Sequence, residues 1–270
     1  FNKIFGSSAQ TSLDLYGSLK VTPGTTFNWG YGGDIWGTGT WIRFRAISGT
    51  QTVESHGRLL PLVQKLNTAN VLFLDSTRIG QYFQDGVGTV DAGGNYFSTA
   101  FDHWGSQGTF RNVGGKMKFA RWFGNNTIDV PNSSIEINER YLNLTGSINS
   151  KGALIKLTFV EPEMTYSSPD TLVRVEFSNP NAQGRLSMTP GSHIGKMIFK
   201  GSCTFLDSIQ CDTAMLANGR SYFFASNRTF RVKKWLDAHG DFCNPILMRA
   251  TQQGQQAKIR TFDTVQGNFL

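Results

Sequence analysis

Aromatic side chains in glycine-rich segments are the residues of this chain whose chemistry is easiest to name. Trp29, Tyr31 and Trp36 lie in or beside the glycine-rich residues 29–39, whereas Tyr96 and Trp104 follow a second glycine-rich segment at 85–94. Aromatic faces stack on sugars and on nucleic-acid bases, and exposed Tyr or Trp anchors protein interfaces. We therefore predict ligand contacts at these five positions; the competing interpretation is that the rings pack into the core.

A second group of residues has the types that bind metals. Asp237, His239, Asp241 and Cys243 alternate along the chain, and residues two apart share one face of a strand. Gly240 and the helix-like residues before it argue against a single strand here. We therefore expect turn and capping roles for these side chains, and no metal.

Catalytic signatures are missing from the sequence. Asp102 and His103 adjoin Trp104, but no nucleophile can be paired with them, so we expect a structural histidine. The chain has no phosphate-binding glycine motif, no His-Glu-x-x-His and no nucleophile elbow. With only 19 acidic residues and no motif, the sequence predicts a protein that is not an enzyme and has no cofactor.

The charge of the chain suggests an anionic partner. The net charge of +7 and the pI of 9.4 favour contact with nucleic acid, acidic glycans or membrane headgroups. Basic residues form short runs beside aromatics, which also fits ordinary solvated strand faces: Arg43, Arg45, Lys116, Lys118, Arg121, Arg231, Lys233 and Lys234. No apolar run approaches the ~20 residues of a membrane-spanning helix.

The 3 cysteines leave one unpaired if any disulfide forms. Cys203 and Cys211 could close a small loop in an oxidising compartment, or they could be two reduced core residues. The sequence leaves both possibilities open.

The elements that position these residues are predicted to be strands. Residues 11–29 alternate and contain a Pro-Gly turn, as in a β-hairpin, and residues 41–46 alternate as in a half-exposed strand. Further strands are predicted at 71–74, 116–122, 135–138, 141–144, 154–160 and 172–177. Two stretches, 206–219 and 231–240, have helix-like spacing and end on glycine.

The predicted fold is all-β. With 30 glycines and 21 phenylalanines, the chain is expected to form an antiparallel β-sandwich, immunoglobulin-like or jelly-roll, with one or two short helices. Residues 1–270 are expected to form one large domain, with a split near 161–170 as the alternative. An echo between residues 17–25 and 184–192 indicates either two related halves or chance reuse of one strand and turn.

The opening residues also carry a resemblance. Residues 12–18, the aromatic-x-Trp at Phe27–Trp29 and the glycines at 32, 37 and 39 resemble the start of adhesive pilins of enterotoxigenic fimbriae. The resemblance implies an incomplete immunoglobulin-like sandwich, completed by a strand from a neighbouring subunit, and assembly by a periplasmic chaperone and usher. It also implies an extracellular fimbrium built from copies of the chain or homologous subunits, with host-surface carbohydrate as the ligand.

A viral capsid protein of jelly-roll type is the alternative. Residues 39–46 and 56–60 look loosely like paired strands of picorna-like coat proteins, and the basic charge and odd cysteine count fit a virion. Such a protein would form closed shells and contact nucleic acid. Both hypotheses predict a non-enzymatic assembly protein, and they differ in the geometry of the assembly.

Overall fold

The chain forms a parallel β-solenoid of about 10 turns in a computed structural model that describes residues 11–25 and 40–268. The described residues form 27 strands and no helix. Accordingly, this part of the chain contains no helix suited to crossing a membrane.

The strands follow one another at short intervals. The first nine are β1 (Thr11–Leu15), β2 (Leu19–Lys20), β3 (Thr40–Phe44), β4 (Thr50–Glu54), β5 (Leu59–Lys65), β6 (Asn70–Phe73), β7 (Thr77–Gln84), β8 (Thr89–Asp91) and β9 (Phe97–Gly105). The next nine are β10 (Thr109–Arg111), β11 (Lys116–Gly124), β12 (Thr127–Asp129), β13 (Ser134–Ile137), β14 (Tyr141–Leu144), β15 (Ile148–Asn149), β16 (Leu154–Leu157), β17 (Glu163–Tyr166) and β18 (Thr171–Phe177). The last nine are β19 (Gln183–Met188), β20 (His193–Phe199), β21 (Ser202–Phe205), β22 (Ile209–Leu216), β23 (Ser221–Phe224), β24 (Thr229–His239), β25 (Leu247–Ala250), β26 (Lys258–Thr261) and β27 (Thr264–Asn268).

A column of inward residues shows the length of one turn. Val71, Val90, Phe110, Ile128 and Ile148 are successive partners in parallel pairs, so a turn here takes 18 to 20 residues. All five side chains are buried. The strands of this column therefore contribute alternate apolar residues to a central core that continues from turn to turn, whereas every residue of β26, near the end of the chain, is exposed.

The solenoid has three faces, which we name by their strands. Face A is the smaller sheet, made of β2, β4, β6, β8, β10, β12 and β15. The larger sheet covers the other two faces, because β11 pairs through Lys116–Phe119 with β13 and through Trp122–Gly124 with β14. Face B is the column of strands through β13, and face C is the column through β14. Beyond β15, the first residues of β18, β20, β22 and β24 continue face A, which ends at β26.

The corner between faces A and B repeats one backbone conformation. Gly114 has φ +69°, Asn132 in the next turn has φ +57°, and Gly152 in the turn after that has φ +71°. The amide of Gly114 donates to the carbonyl of Pro131, and that of Asn132 to the carbonyl of Lys151. Left-handed backbone is strained for most side chains but open to Gly and Asn, so the repeated corner accounts for part of the glycine content.

The predicted antiparallel sandwich, whether immunoglobulin-like or jelly-roll, is wrong because every strand pair in the described residues is parallel. The predicted hairpin is also wrong: β1 pairs with β3, and β2 with β4. The two helix-like stretches are strands, β22 within 206–219 and most of β24 within 231–240. Alternation within one strand is the same in a sandwich and in a solenoid, so it could not distinguish them.

Several local predictions are confirmed. Ile42 and Phe44 are buried in β3 as the alternation at 41–46 predicted, and strands occur within each of the other predicted strand segments.

The similar segments 17–25 and 184–192 each contain a β-turn of the same type. Gly24 and Gly191 have φ +91° and +92°, and each turn closes with an amide-to-carbonyl bond of 3.1 Å. Pro followed by a left-handed Gly is the type II pattern, so the two similar segments share a turn type. They lie at different corners, because Gly24 follows face A whereas Gly191 lies between face C and face A.

Candidate functional site

Three aromatic side chains form an outward column on face C. Phe83 is the register partner of Trp104, and Trp104 is the partner of Phe123. The rings are half-buried, while their chain neighbours on both sides point into the core or are glycine. Alternation therefore places three bulky apolar rings on the outer surface, one above the other in consecutive turns.

Two further rings extend this column. The ring centroids of Trp104 and Phe123 are 4.3 Å apart with planes at 17°. Trp41 lies 5.5 Å from Phe83 at 39°, and Tyr141 lies 6.3 Å from Phe123 at 35°. We call these five residues the aromatic ladder. It extends over five strand spacings, from β3 to β14, or about 24 Å at about 4.8 Å per strand.

Each end of the aromatic ladder carries a guanidinium group. The Cζ of Arg43 lies 5.7 Å from the ring centroid of Trp41, and that of Arg140 lies 5.2 Å from Tyr141. Arg140 also donates to Glu163 Oε1 at 2.5 Å, a bond that raises the pKa of Arg140 and lowers that of Glu163. Cations over aromatic faces are favourable, so each end of the ladder is closed by a guanidinium group, and that of Arg140 is also paired with the Glu163 carboxylate.

One flank of the aromatic ladder is a charged cluster. Asp102 Oδ1 lies 2.6 Å from Arg121 Nε, and Gln81 Nε2 donates to Asp102 Oδ2 at 3.1 Å. Glu139 Oε2 is 3.7 Å from the same Arg121 Nε. Only 2% of the Asp102 side chain is exposed, so this carboxylate is committed to its neighbours. The cluster holds strands β7, β9 and β11 together beside the rings.

The other flank offers amide, hydroxyl and carboxylate groups. Gln64 Nε2 donates to Asp85 Oδ2 at 2.8 Å, and Ser106 Oγ donates to Asp85 Oδ1 at 3.1 Å. Asp85 and Ser106 are exposed. Amide, hydroxyl and carboxylate groups next to aromatic rings are the combination with which proteins contact the hydroxyl groups and apolar faces of sugars.

The residue beneath the aromatic ladder is a histidine. His103 is fully buried and stacks on Tyr82 with centroids 4.8 Å apart, next to Phe110 and Phe119. Burial lowers the pKa of His103 to about 3, and neither ring nitrogen has a hydrogen-bond partner among the described residues. His103 therefore supports the ladder from the core in its neutral form.

The structure describes two of the five predicted contact residues, Tyr96 and Trp104, and these two do not form one site. Trp104 is at the centre of the aromatic ladder and lies near the end of β9. Tyr96 lies just before the start of the same strand, and the two side chains do not contact each other. Tyr96 is 38% exposed but is no part of the ladder. Trp29, Tyr31 and Trp36 lie outside the described residues.

The sequence analysis did not predict ligand contacts at the other four residues of the aromatic ladder: Trp41, Phe83, Phe123 and Tyr141. The missed signal was spacing, because Phe83, Trp104 and Phe123 are 21 and 19 residues apart. That spacing equals the turn length of the solenoid, so outward aromatics at this interval stack. Trp122, by contrast, is an aromatic beside a basic run that points entirely into the core.

The turn role expected for the alternating residues near the end of the chain is confirmed for Asp241 and Cys243 but is wrong for Asp237 and His239, which lie in strand β24. Asp241 Oδ1 accepts hydrogen bonds from the backbone amides of Cys243 and Asn244, at 2.9 and 2.7 Å. His239 Nε2 is 3.8 Å from Asp237 Oδ1. The described residues contain no group of three potential metal ligands, here or elsewhere.

Comparisons with protein-family models, with curated proteins and with solved structures find no match for this chain. The resemblance of the opening residues to adhesive pilins therefore stays a prediction. The geometry of the aromatic ladder and its flanks is therefore the basis for the proposed function.

Proposed function

We propose that the chain is a non-enzymatic, rod-shaped carbohydrate-binding protein that holds an extended glycan against the aromatic ladder. The observation that carries the proposal is the column of half-exposed rings on face C, with polar groups on both flanks. Because the rings of Trp104 and Phe123 stack on each other, the ladder offers a continuous apolar stripe, and contacts between this stripe and the apolar sides of sugar units add up along a repeating glycan. At about 24 Å, the ladder is long enough for several sugar units.

The geometry favours binding over hydrolysis. The carboxylate of Asp102 is paired with Arg121 and Gln81, and Glu163 is paired with Arg140 and Arg185. Glycoside hydrolysis needs one carboxylic acid that donates a proton and one free carboxylate. Both carboxylates are held in ion pairs with arginine, so neither is free to serve as the acid or the base, and their geometry supports a structural and binding role.

The proposal keeps the expected adhesive role and its extracellular setting but changes the scaffold. Donor-strand completion required an incomplete sandwich, and the parallel solenoid removes that argument. A rod that repeats every turn supplies a long, regular surface instead, which suits a repeating polymer. We propose that the protein acts outside the cell as an adhesive element.

A glycan array followed by calorimetric titration of the oligosaccharide retained best tests this proposal. We expect Trp104→Ala and Phe123→Ala each to weaken binding about tenfold, or about 1.4 kcal/mol, since each removes an apolar ring against which a sugar unit packs. Trp104→Phe keeps a ring and should retain most of the affinity. Phe242→Ala, which removes an 88% exposed ring outside the ladder, is the matched control.

Two outcomes would overturn the proposal. One is an array on which no oligosaccharide is retained. The other is a bound oligosaccharide whose affinity is unchanged in folded Trp104→Ala protein, with the fold checked by circular dichroism.

A further inference from the structure

Outward charges on the early turns alternate in sign along the solenoid. Arg111 lies between Asp91 and Asp129 of neighbouring turns, at 3.9 and 3.4 Å. On face B, Lys118 Nζ lies 2.9 Å from Glu136 Oε1. Opposite charges on adjacent strands stabilise a sheet, whereas like charges directly opposite destabilise it.

The last two turns break this pattern. Arg231 of β24 and Arg260 of β26 are register partners on face A, and Thr229 of β24 is the partner of Lys258. Arg228 and Lys233 add two exposed cations nearby. We call these five basic residues the terminal basic surface. Within residues 11–25 and 40–268, none of them has an ion pair with a carboxylate.

Two acidic residues of the last turns, Asp212 and Asp263, form no ion pair with these five basic residues. Asp212 is held by Lys234, with Nζ to Oδ2 at 2.7 Å, and by His193, with Nε2 to Oδ1 at 2.9 Å. Asp263 is exposed and accepts a hydrogen bond from the hydroxyl of Thr264. The five basic residues therefore leave several positive charges uncompensated.

Aromatic rings accompany the uncompensated cations. The Cζ of Arg231 lies 5.7 Å from the ring centroid of Phe262, which is 65% exposed. Trp235 follows Lys233 and Lys234 at the same corner and is 40% exposed. Arginine pairs with sulfate and carboxylate through two parallel hydrogen bonds, and an aromatic face can pack on the apolar side of a sugar ring.

We propose that the terminal basic surface binds an anionic polysaccharide, one that carries sulfate or uronic acid groups. This site is separate from the aromatic ladder, because it lies mainly on face A of the last two turns whereas the ladder lies on face C of earlier turns. The anionic glycan supplies the negative charges that the last turns lack. The inference therefore stands whether or not the ladder binds sugar.

Titration of the full chain with a size-defined heparin oligosaccharide tests this inference, with dextran of similar length as the uncharged probe. We expect heparin to bind, dextran not to bind at this surface, and the affinity to fall steeply between about 50 and 200 mM salt. The double variant Arg231→Gln/Arg260→Gln should weaken heparin binding at least about tenfold and reduce the salt dependence.

The matched control is Arg58→Gln/Arg78→Gln, which removes two exposed arginines on neighbouring early turns and lowers the net charge equally. We expect it to keep nearly all of the affinity. Equal losses in both double variants would show general charge attraction and would overturn the proposed site. Tighter binding of a single-stranded oligothymidylate of matched charge would overturn the polysaccharide as the partner.

Discussion

The indole of Trp104 lies almost parallel to the ring of Phe123, one turn away, with centroids 4.3 Å apart. The two side chains belong to strands β9 and β11 and are register partners. Their contact therefore joins consecutive turns on the outer surface of the molecule, in addition to the contacts between turns in the core. Any ligand at this site binds to a surface that already stabilises the rod.

We expect the two rings to be energetically coupled. In a double-mutant cycle with Trp104→Ala and Phe123→Ala, the coupling should be about 0.5–1.5 kcal/mol in free energy of unfolding. Urea denaturation at neutral pH measures it. Pairing Trp104→Ala with Phe242→Ala is the control, and that pair should be additive. A coupling near zero for the stacked pair would contradict the contact.

The ion pair between Asp102 and Arg121, on one flank of the ladder, should contribute more to the free energy of unfolding than the more exposed pair between Glu139 and Arg121. Asp102→Asn leaves Arg121 facing a neutral amide in a largely buried position, and we expect a loss of about 2 kcal/mol. This value is below the range for fully buried pairs, since the Arg121 side chain is 25% exposed and retains Glu139. Glu139→Gln, at a carboxylate that is 46% exposed, should cost less than about 0.5 kcal/mol.

A close approach between two turns gives a test of register. A Cβ on Gly105 would lie 2.2 Å from Oδ1 of Asn126, whose side chain is buried. Gly105→Ala should therefore destabilise the protein by about 2 kcal/mol through overpacking. Adding Asn126→Ala removes the obstructing side chain and should recover part of that loss. If the two variants are simply additive, these residues are not in contact.

His103 should make the stability depend on pH. Its pKa is about 3 in the folded protein and about 6.5 when unfolded, so between these values only the unfolded chain binds the proton. The free energy of unfolding should therefore decrease as pH falls from 6.5, by about 1.4 kcal/mol per pH unit. His103→Phe should flatten this slope relative to the wild type, whereas His239→Phe, at an exposed side chain, should not. Thermal or urea unfolding from pH 7 to pH 4 measures both.

The three thiols should differ in reactivity. Cys203 and Cys211 are buried free thiols on different faces, and burial raises the pKa of each, whereas Cys243 is exposed. A thiol-reactive dye should label one cysteine in the native protein and all three after unfolding. Labelling of Cys243→Ser protein should then be negligible before unfolding. A disulfide between Cys203 and Cys211 would leave only one reactive thiol in the unfolded, unreduced chain.

The sequence predicted local structure better than topology. Ile42 and Phe44 revealed a half-buried strand because side-chain alternation is a property of one strand. Strand partners depend instead on residues a whole turn apart. Thr89-Val-Asp91, Thr109-Phe-Arg111 and Thr127-Ile-Asp129 repeat at intervals of 20 and 18 residues, and each is the register partner of the next. This repeat was the available signal for a solenoid.

The site was predictable only in part for the same reason. Trp104 was selected for its residue type, but its partners Phe83 and Phe123 have no special local sequence. Their importance comes from register, which places one ring above another. The long strand β24 was mistaken for a helix because its bulge, where Lys233 and Lys234 interrupt the alternation against β22, disturbs the two-residue period.

The turn of 18 to 20 residues in the column from Val71 to Ile148 has a consequence for the size of the molecule. Each turn contacts mainly the turns before and after it, so a chain of this kind can gain or lose a whole turn while the others keep their partners. Its length is therefore adjustable in steps of about 4.8 Å. A protein built in this way can serve as a spacer whose reach is set by counting turns.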